Sequence, residues 1–358
     1  MVLPLDLFDY ELPSSLVAQQ PLAQRDRSRL LLLRRGSGGC THRRFFQIAE
    51  LLPAGALLVV NITKVLPRRL YGRLPGGVKV EALVLDDLGG GRWTAMVKRA
   101  RRLKPGGTVE FADGRISAEA VRRTPEGHWI LAFADPATFL ERLTRLGHAP
   151  LPPYIKREPG SATHWASDRA AYQTCFARNE GAIAVPTAGL HFTPAVLEAL
   201  GARGIGIAEL TLHVGLGTFG RVENGDARLH KMAREWYEIP VGEAEKIRAA
   251  KGAGRPVIAV GTTTVRALES WALLGSPPGQ AGWSDLFIHP PFSFQVVDGL
   301  ITNFHQPRST LLMLIAAFHG RERTLAAYRE AIREAYRFFS YGDCMAILPA
   351  GPAAGDEG

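Results

Sequence analysis

The sequence predicts an α/β main domain, with a mixed and barrel-like sheet, that carries an inserted small all-β barrel domain. The chain has 358 residues, and at about 150 residues per domain that length favours two domains. Between residues 59 and 151, short apolar or alternating runs are separated by Gly-rich segments, which is typical of a small barrel or sandwich. After the prolines at 150–153, helical and strand patterns alternate, as they do in α/β domains.

Both ends of the chain contribute to the main domain in this interpretation. We assign residues 1–58 and 152–350 to it, and residues 59–151 to the inserted barrel. The tail, 351–358, is rich in Ala, Gly and Pro and is predicted to be disordered.

The elements follow from periodicity and from the residues that start and stop them. Before the insertion we expect a short helix over 12–21, a strand over 30–33 and an amphipathic helix over 43–52. The barrel strands are predicted at 57–60, 78–85, 93–97, 108–111, 116–121 and 128–133, followed by a helix over 137–146. Beyond it we expect helices at 194–202, 243–251, 263–274 and 321–335, and strands at 208–214, 256–260 and 344–348.

Composition and charge narrow the class of protein. Lys and Arg number 43 against 34 Asp and Glu, and this net charge of +9 indicates an anionic partner or simply a soluble surface. The longest apolar run, 311–318, is far shorter than the roughly 20 residues of a membrane span. With no signal peptide visible and three separated cysteines, a cytoplasmic protein is expected. The histidines are scattered, so no metal site is predicted.

The first polar cluster lies between the prolines at 150–153 and the helix expected at 194–202. It includes a Tyr-Gln-Thr run and the segment 186–192, which concentrates Thr, Gly and His in a few positions. Either this is a ligand-binding loop, or it is a capped turn whose histidine bonds a carbonyl. Its candidate binding residues are Tyr172, Gln173, Thr174, Thr187, Gly189 and His191.

The second cluster is a strand that leads into a Gly-x-Gly turn. His213 shares a strand face with Thr211, and Gly215, Gly217 and Thr218 follow. Such a turn exposes backbone N–H groups to a ligand, although a plain hairpin is the alternative. The third glycine and the helix of a dinucleotide fingerprint are missing.

The third cluster joins a buried strand to a Gly-Thr-rich helix start. The free N–H groups near Thr262 and Thr263 suit a carboxylate, a phosphate or a ribose hydroxyl, unless a threonine acts only as a cap. Arg266 binds an anion or pairs with Glu269, and the ion pair is slightly favoured.

The fourth cluster precedes a very apolar helix. Asn303 and His305 have no evident capping role, whereas Ser309 is a candidate cap as well as a candidate ligand. Near the C-terminus, Tyr341 and Asp343 flank a glycine in a predicted turn. Asp343 is either an ordinary turn residue or a functional residue.

A basic run lies in the predicted barrel domain. It contains Lys98, Arg99, Arg101, Arg102 and Lys104, and the Arg68-Arg69 pair lies close in sequence. These residues would contact RNA phosphates, or they form a solvated face.

Taken together, these motifs resemble the S-adenosylmethionine:tRNA ribosyltransferase-isomerase family of queuosine biosynthesis. The resemblance extends to about Leu348 and includes the segments 8–13, 27–30, 150–155, 172–174, 186–192, 213–219, 261–270, 303–305, 309–313 and 336–343. The chain departs from the family pattern at Ile62, where an aspartate is usual, at Ala233 in place of a histidine, and at Pro291.

The resemblance implies a reaction and its partners. The substrate would be a tRNA with a GUN-type anticodon that carries 7-aminomethyl-7-deazaguanine at the wobble position. S-adenosylmethionine would be consumed as the ribosyl donor, with no other cofactor and no metal, and the products would be epoxyqueuosine in tRNA, adenine and methionine. We expect a monomer.

The residue types suit this chemistry. A sulfonium acidifies the neighbouring ribose carbon, so a histidine suffices as base, and His213 is preferred over His191 or His305. Asp343 or Tyr341 would assist the departure of adenine. Thr262, Thr263 and the 215–218 turn would hold the methionyl carboxylate or the ribose. A diverged paralogue acting on another RNA or a free base, and a non-catalytic tRNA-binding protein, are the alternative functions.

Overall fold

The computed structural model describes residues 2–158, 164–215 and 225–350. The chain divides into two compact units, the first formed by Met1–Lys64 with Thr174–Gly358 and the second by Val65–Gln173. The second unit therefore begins and ends later than the insertion predicted at 59–151. It begins later because the strand after residue 56 pairs inside the large sheet of the first unit. The predicted tail 351–358 lies outside the described residues.

The elements are numbered along the chain. The strands are β1 (Arg29–Arg34), β2 (Cys40–Arg44), β3 (Leu57–Asn61), β4 (Thr63–Val65), β5 (Arg69–Arg73), β6 (Lys79–Asp87), β7 (Arg92–Lys98), β8 (Thr108–Phe111), β9 (Ile116–Arg123), β10 (Trp129–Phe133), β11 (Asn179–Ala182), β12 (Gly206–Leu212), β13 (Glu235–Ile239), β14 (Val257–Val260), β15 (Gln280–Ser284), β16 (Gly299–Asn303) and β17 (Cys344–Leu348). The α-helices are α1 (Ile48–Leu51), α2 (Pro136–Leu146), α3 (Trp165–Ala171), α4 (Pro194–Ala202), α5 (Val241–Gly252), α6 (Thr262–Leu273), α7 (Thr310–His319) and α8 (Arg321–Arg333).

The first unit is built on a nine-stranded mixed sheet in the order β15-β13-β12-β3-β14-β16-β17-β1-β2. Its centre, β12-β3-β14-β16, is parallel, and β17 runs antiparallel to β16. The central strands β3 and β14 read Leu-Leu-Val-Val-Asn and Val-Ile-Ala-Val and are buried throughout, as strands covered on both faces must be. Among the described residues no helix is long and apolar enough to cross a membrane.

This topology gathers six chain segments at one edge of the sheet. The four parallel strands all end there, and the starts of β17 and β1 reach the same edge because Cys344 is in register with both Asn303 and Leu30. Carboxyl ends of parallel strands are where α/β proteins usually bind ligands.

The second unit contains a closed six-stranded barrel in the order β10-β7-β6-β5-β8-β9. Side chains alternate between the barrel interior and solvent, as along β8, where Val109 and Phe111 are buried and their neighbours are exposed. Helix α2 adds Phe139 to the core, and its ring stacks on Phe133 with centroids 3.6 Å apart. The predicted fold class, a mixed α/β sheet with a small all-β barrel, is confirmed.

Two predicted N-terminal helices are wrong. Residues 40–44 instead form the edge strand β2, whose backbone pairs with β1, and only Ile48–Leu51 remain α-helical. The helix expected over 12–21 is a 3₁₀ turn at Ser14–Leu16, because the backbone around Val17 bonds to Phe338 instead of continuing a helix.

Replacing Phe139 with Ala should destabilise the barrel by about 3–5 kcal/mol, since it leaves a cavity between Phe133 and Trp93. Leu140, the next residue of α2, is 49% exposed, so Leu140→Ala should cost less than about 0.5 kcal/mol. Native-state hydrogen exchange of the barrel amides would measure both effects. Equal protection in the two variants would contradict this account of the barrel core.

Candidate active site at the carboxyl edge of the sheet

Four groups of predicted site residues occupy the carboxyl edge of the large sheet. His213 directly follows β12, and Thr262 and Thr263 follow β14. Asn303 ends β16, while Asp343 directly precedes β17. The sheet topology thus brings together residues that are far apart in the sequence.

The His213 ring contacts Trp236 and Gly181 and is hydrogen-bonded at one ring nitrogen. Its ring stacks on the Trp236 indole, with centroids 5.2 Å apart and planes inclined by 19°. Gly181 backs the ring, and a methyl group at Gly181 would lie 2.6 Å from the His213 Cε1 atom. The His213 Nδ1 atom is hydrogen-bonded to the Thr63 hydroxyl at 2.7 Å. The imidazole therefore has a fixed orientation while the residue remains half-buried.

Thr63 is a site residue that the sequence analysis missed. Its backbone N–H donates to the Asn61 side chain at 3.0 Å, and its hydroxyl lies 3.5 Å from the Asn179 carbonyl oxygen. The signal was present, since an Asn-x-Thr begins at the last residue of a buried strand, but nothing in the sequence pairs it with His213. Neighbouring Ile62 packs against the apolar core, so this departure from the family pattern fills hydrophobic space.

Gly215, two residues after His213, is anchored by a buried ion pair. Gly215 donates its N–H to the Glu235 carboxylate at 2.8 Å, and the same carboxylate binds the Arg266 guanidinium. Arg266 also donates to the Leu286 carbonyl at 3.0 Å. The predicted anion-binding role of Arg266 and its pairing with Glu269 are both replaced by this bond to Glu235. Predicted site residues Gly217 and Thr218 lie outside the described residues.

Helix α6 begins at the edge with no side chain capping it. Gly261 has φ = +91°, which turns the chain from β14 into the helix, and Thr262 and Thr263 are buried in its first turn. One turn from its end, the buried Glu269 carboxylate accepts hydrogen bonds from the backbone of residues 295–297, and burial raises its pKa. The helix start is the part of α6 that suits an anionic or hydroxyl ligand.

His191 lies in a buried polar cluster next to the edge. Its Nδ1 atom is 2.8 Å from the Ser28 hydroxyl, and its ring packs on Phe45. Burial lowers the pKa of His191 to about 4, the Asn303 side chain opposes this shift, and the nearby Arg25 and Arg337 add to it. His191 is therefore neutral at pH 7.

Asp343 orders the turn that precedes β17. Its two carboxylate oxygens accept the backbone N–H groups of Arg29 and Arg337, both at 2.8 Å. Burial nevertheless raises its pKa. The Asn303 side-chain amide donates to the Phe339 carbonyl at 3.1 Å, and Tyr341 is buried beside the same turn.

Other predicted residues have structural contacts. His305 is buried, bonds Thr302 at 2.8 Å, and has its pKa lowered to about 3 by burial, so it does not suit a base that works at pH 7. Ser309 caps α7, since its hydroxyl accepts the Leu312 N–H. In the second unit, Gln173 bonds both backbone groups of Val65, and Tyr172 is buried.

The 186–192 segment forms a 3₁₀ helix that begins at Thr187 and ends at His191. Gly189 allows close packing here, because a methyl group at this position would lie 2.9 Å from Thr174. The close packing of Thr174 on Gly189 thus stabilises the 3₁₀ turn that ends at His191.

In the basic run of the second unit, the apolar residues are buried and the charged residues between them are exposed. Ala100 and Leu103 are buried in the barrel core. The side chains that face outward are those of Lys98, Arg99, Arg101, Arg102 and Lys104. The structure does not support Arg68 as a surface contact, since it is buried and bonds the Leu85 carbonyl. Arg69 is mostly covered and pairs with Glu81 at 3.3 Å.

Within the part of the chain that the structure describes, one group of side chains has the mutual distances of metal ligands: Cys40, His42 and Glu330. His42 already bonds Glu330 and Tyr336, and Glu330 also pairs with Arg333. These residues lie on β2 and α8. Their closeness is accounted for by the ion pairs of His42 and Glu330 at the surface.

Comparisons with known proteins show the family and support the fold. A family model described as a queuosine biosynthesis protein matches residues 5–347. S-adenosylmethionine:tRNA ribosyltransferase-isomerases are 47% identical in Heliobacterium modesticaldum (96% of this chain, 99% of that one) and 48% identical in Moorella thermoacetica (95% and 98%). A crystal structure of an S-adenosylmethionine tRNA ribosyltransferase from Thermotoga maritima, 38% identical, covers 96% of this chain and 100% of its own with a TM-score of 0.55.

These relatives and the family model show an enzyme of the transferase and isomerase class. The chain belongs to the queuosine biosynthesis protein family.

The buried neutral histidines should make the protein sensitive to acid. Because the folded-state pKa of His191 is about 4 and its ordinary value is about 6.5, the unfolded chain binds the proton first as pH falls. The free energy of unfolding should therefore fall between pH 7 and pH 5, by about 2 kcal/mol from His191 alone.

Urea denaturation at both pH values would measure this loss. His191→Gln should reduce it, because the buried neutral imidazole is then absent. An unaltered loss in His191→Gln would show that other groups are responsible.

Proposed function

We propose that this enzyme transfers the ribosyl part of S-adenosylmethionine to 7-aminomethyl-7-deazaguanine at the wobble position of a GUN-anticodon tRNA. Isomerisation of the transferred group would give epoxyqueuosine, with adenine and methionine released. The observation that carries the proposal within this family is His213, held rigidly at the carboxyl edge beside the open start of α6. We further propose that the enzyme acts as a cytoplasmic monomer and that S-adenosylmethionine is a consumed substrate, with no cofactor or metal.

His213 is the proposed base. The sulfonium acidifies the adjacent ribose carbon, so a neutral imidazole at the edge can remove a proton at physiological pH. His191 and His305 are less suited, since burial lowers their pKa values to about 4 and about 3 and both have hydroxyl partners.

The Asp343 turn is the proposed place where adenine departs. Burial raises the pKa of Asp343, which favours the protonated form that donates a hydrogen bond to a leaving base. Tyr341 is the second candidate donor there. Asn303, adjacent to the same turn, would orient this part of the substrate.

The start of α6 is the proposed site for the methionyl carboxylate or a ribose hydroxyl. Its first N–H groups have no intrahelical partner, and the helix dipole favours negative charge there. Thr262 and Thr263 line this turn. The backbone of Gly215, two residues after His213, would contribute to the same site.

The basic run of the barrel is the proposed tRNA contact. Its outward side chains can bind phosphates, and next to Lys98 and Arg99 lies an open groove of about 500 Å³. Tyr71, Arg73 and Lys79 also line this groove.

Product analysis tests the reaction. We would incubate the protein with S-adenosylmethionine and tRNA that carries the deazaguanine precursor, then digest the tRNA and measure nucleoside masses. The expected result is an epoxyqueuosine mass with one adenine released per modification, and His213→Ala should lower the rate by about 10²–10⁴-fold. Unmodified tRNA lacking the precursor is the control. Adenine release without dependence on the precursor would indicate a paralogue with another substrate.

The salt dependence of tRNA binding tests the barrel contact. Arg101→Ala/Arg102→Ala should weaken binding and reduce the slope of log K against log salt by about 1 per lost phosphate contact. Arg203→Ala/Arg329→Ala removes two exposed arginines from the first unit as a charge-matched control. An equal loss in both double variants would reveal a general effect of net charge and contradict a specific contact.

A further inference from the structure

A row of three side chains crosses the sheet from the candidate base to the outermost strand. The His213 backbone N–H donates to the Trp236 carbonyl at 2.9 Å, and Trp236 of β13 is in register with Trp283 of β15. Residues that face each other in antiparallel strands project from the same side of a sheet. These three side chains therefore lie next to one another on one face, at the carboxyl edge.

The outer end of this row is exposed. Trp283 is 59% exposed, whereas the five other tryptophans of the chain are buried or half-buried. The middle of the row is covered, since the half-buried Trp236 indole stacks on the His213 ring. Exposed aromatic rings are the surfaces on which proteins stack the unpaired bases of RNA.

Positive charge lies beside the exposed indole. The Arg234 Cζ atom is over the Trp283 ring, 5.7 Å from its centroid, near the outer limit of a cation–π contact. Arg234 is itself exposed, so its guanidinium remains able to bind a phosphate. An aromatic ring beside an arginine is the combination that binds a single-stranded nucleotide through its base and its backbone.

We propose that Trp283, together with Arg234, is a stacking platform for a base of the tRNA anticodon loop that flanks the reacting base. This inference rests on the proposed function, in which the wobble base reacts next to His213. Trp283 lies two strands from His213, about 10 Å at the usual strand spacing. The platform therefore receives a neighbour of the wobble nucleotide, and Trp283 binds substrate without touching the reacting atoms.

The adenine of S-adenosylmethionine has the same stacking chemistry, but the sheet order favours the RNA base. Adenine is proposed to depart at the Asp343 turn, which precedes β17, and the four parallel strands separate β17 from β15. An anticodon loop presents adjacent unpaired bases, so one base can reach the outer strand while its neighbour occupies the edge site. Stacking tolerates any base, which suits GUN anticodons that differ at one position.

Binding and kinetics with an anticodon stem–loop RNA that carries the precursor test the platform. Trp283→Leu keeps an apolar side chain but removes the ring, and it should weaken RNA binding about 5- to 100-fold. KM for the RNA should rise in parallel, while kcat and KM for S-adenosylmethionine change less than about twofold, because the lost contact is present before and during the reaction. Trp283→Phe should restore most of the affinity.

A matched control removes another exposed apolar side chain. Leu274 is also 59% exposed and directly follows the last residue of α6, whose first residue lies at the carboxyl edge. Leu274→Ala should leave RNA binding and all kinetic constants unchanged.

Abasic RNAs identify the stacked base. In two further stem–loops, the nucleotide on one side or the other of the wobble position carries an abasic ribose. One of them should bind the unaltered enzyme as weakly as the intact RNA binds Trp283→Leu, and Trp283→Leu should weaken it no further. Stacking neutralises no phosphate, so Trp283→Leu should keep the slope of log K against log salt, unlike Arg101→Ala/Arg102→Ala.

Each other outcome overturns the platform or separates it from the reaction. The same loss of affinity in Trp283→Leu for the intact and both abasic RNAs would exclude stacking. A raised KM for S-adenosylmethionine with unchanged RNA affinity would assign the indole to adenine, and an altered sedimentation coefficient in Trp283→Leu would assign β15 to an interface between copies of the chain; either result overturns the proposal. If the Trp283 effect on binding appears but the unaltered enzyme makes no modified nucleoside, the proposed reaction fails while the platform stands.

Discussion

The candidate site depends on the side chain of Asn61, the last residue of β3. Its Oδ1 atom accepts the backbone N–H groups of Thr63 and Leu212 at 3.0 and 3.1 Å, and its Nδ2 atom donates to the Leu212 carbonyl at 2.9 Å. The amide thus continues the pairing of β3 with β12 beyond the last backbone register. Nδ2 also approaches the Thr263 hydroxyl at 3.5 Å. One buried amide therefore relates the His213 strand, the Thr63 hydroxyl and the start of α6, and burial makes each of these bonds costly to lose.

Charge is used structurally in the same region, which separates supporting residues from candidate ligands. Arg266 and Glu235 are nearly fully buried, and each has backbone partners that satisfy its remaining hydrogen-bonding groups. An arginine so engaged cannot turn toward a substrate anion without leaving a carboxylate unpaired inside the protein. Its contribution is to hold Gly215, which lies two residues after His213. Glu269 has the corresponding role for residues 295–297 at the other end of α6.

Sequence reasoning predicted the fold class and most elements after residue 190 because their patterns are local. The apolar run 257–260 predicts a buried strand, and the periodicity of 321–333 predicts a helix, without information from distant residues. It failed at 43–52, where helical spacing competes with an edge strand that is stabilised by pairing with β1. It also overlooked β16, because Leu300 and Ile301 are flanked by polar residues that read as loop. The polar clusters were identified from their composition, but the partner of Arg266 lies 31 positions away, on β13, a strand that was not predicted. Thr63 was missed for the same reason, since its partner His213 is 150 positions away in the sequence.

The three candidate histidines differ in burial, and this difference bears on which of them suits the proposed base. His191 and His305 each bond a hydroxyl through one nitrogen, as His213 does, so a hydroxyl partner alone does not mark a base. The difference lies in solvation. Burial lowers the pKa of His191 and His305 so far that accepting a proton at neutral pH would cost several kcal/mol, at about 1.4 kcal/mol per pKa unit. His213 is instead half-buried, with its ring stacked on the Trp236 indole and close to Gly181. A half-buried imidazole can take up a proton and return it at lower cost than a fully buried one, which is the property that the proposed chemistry requires.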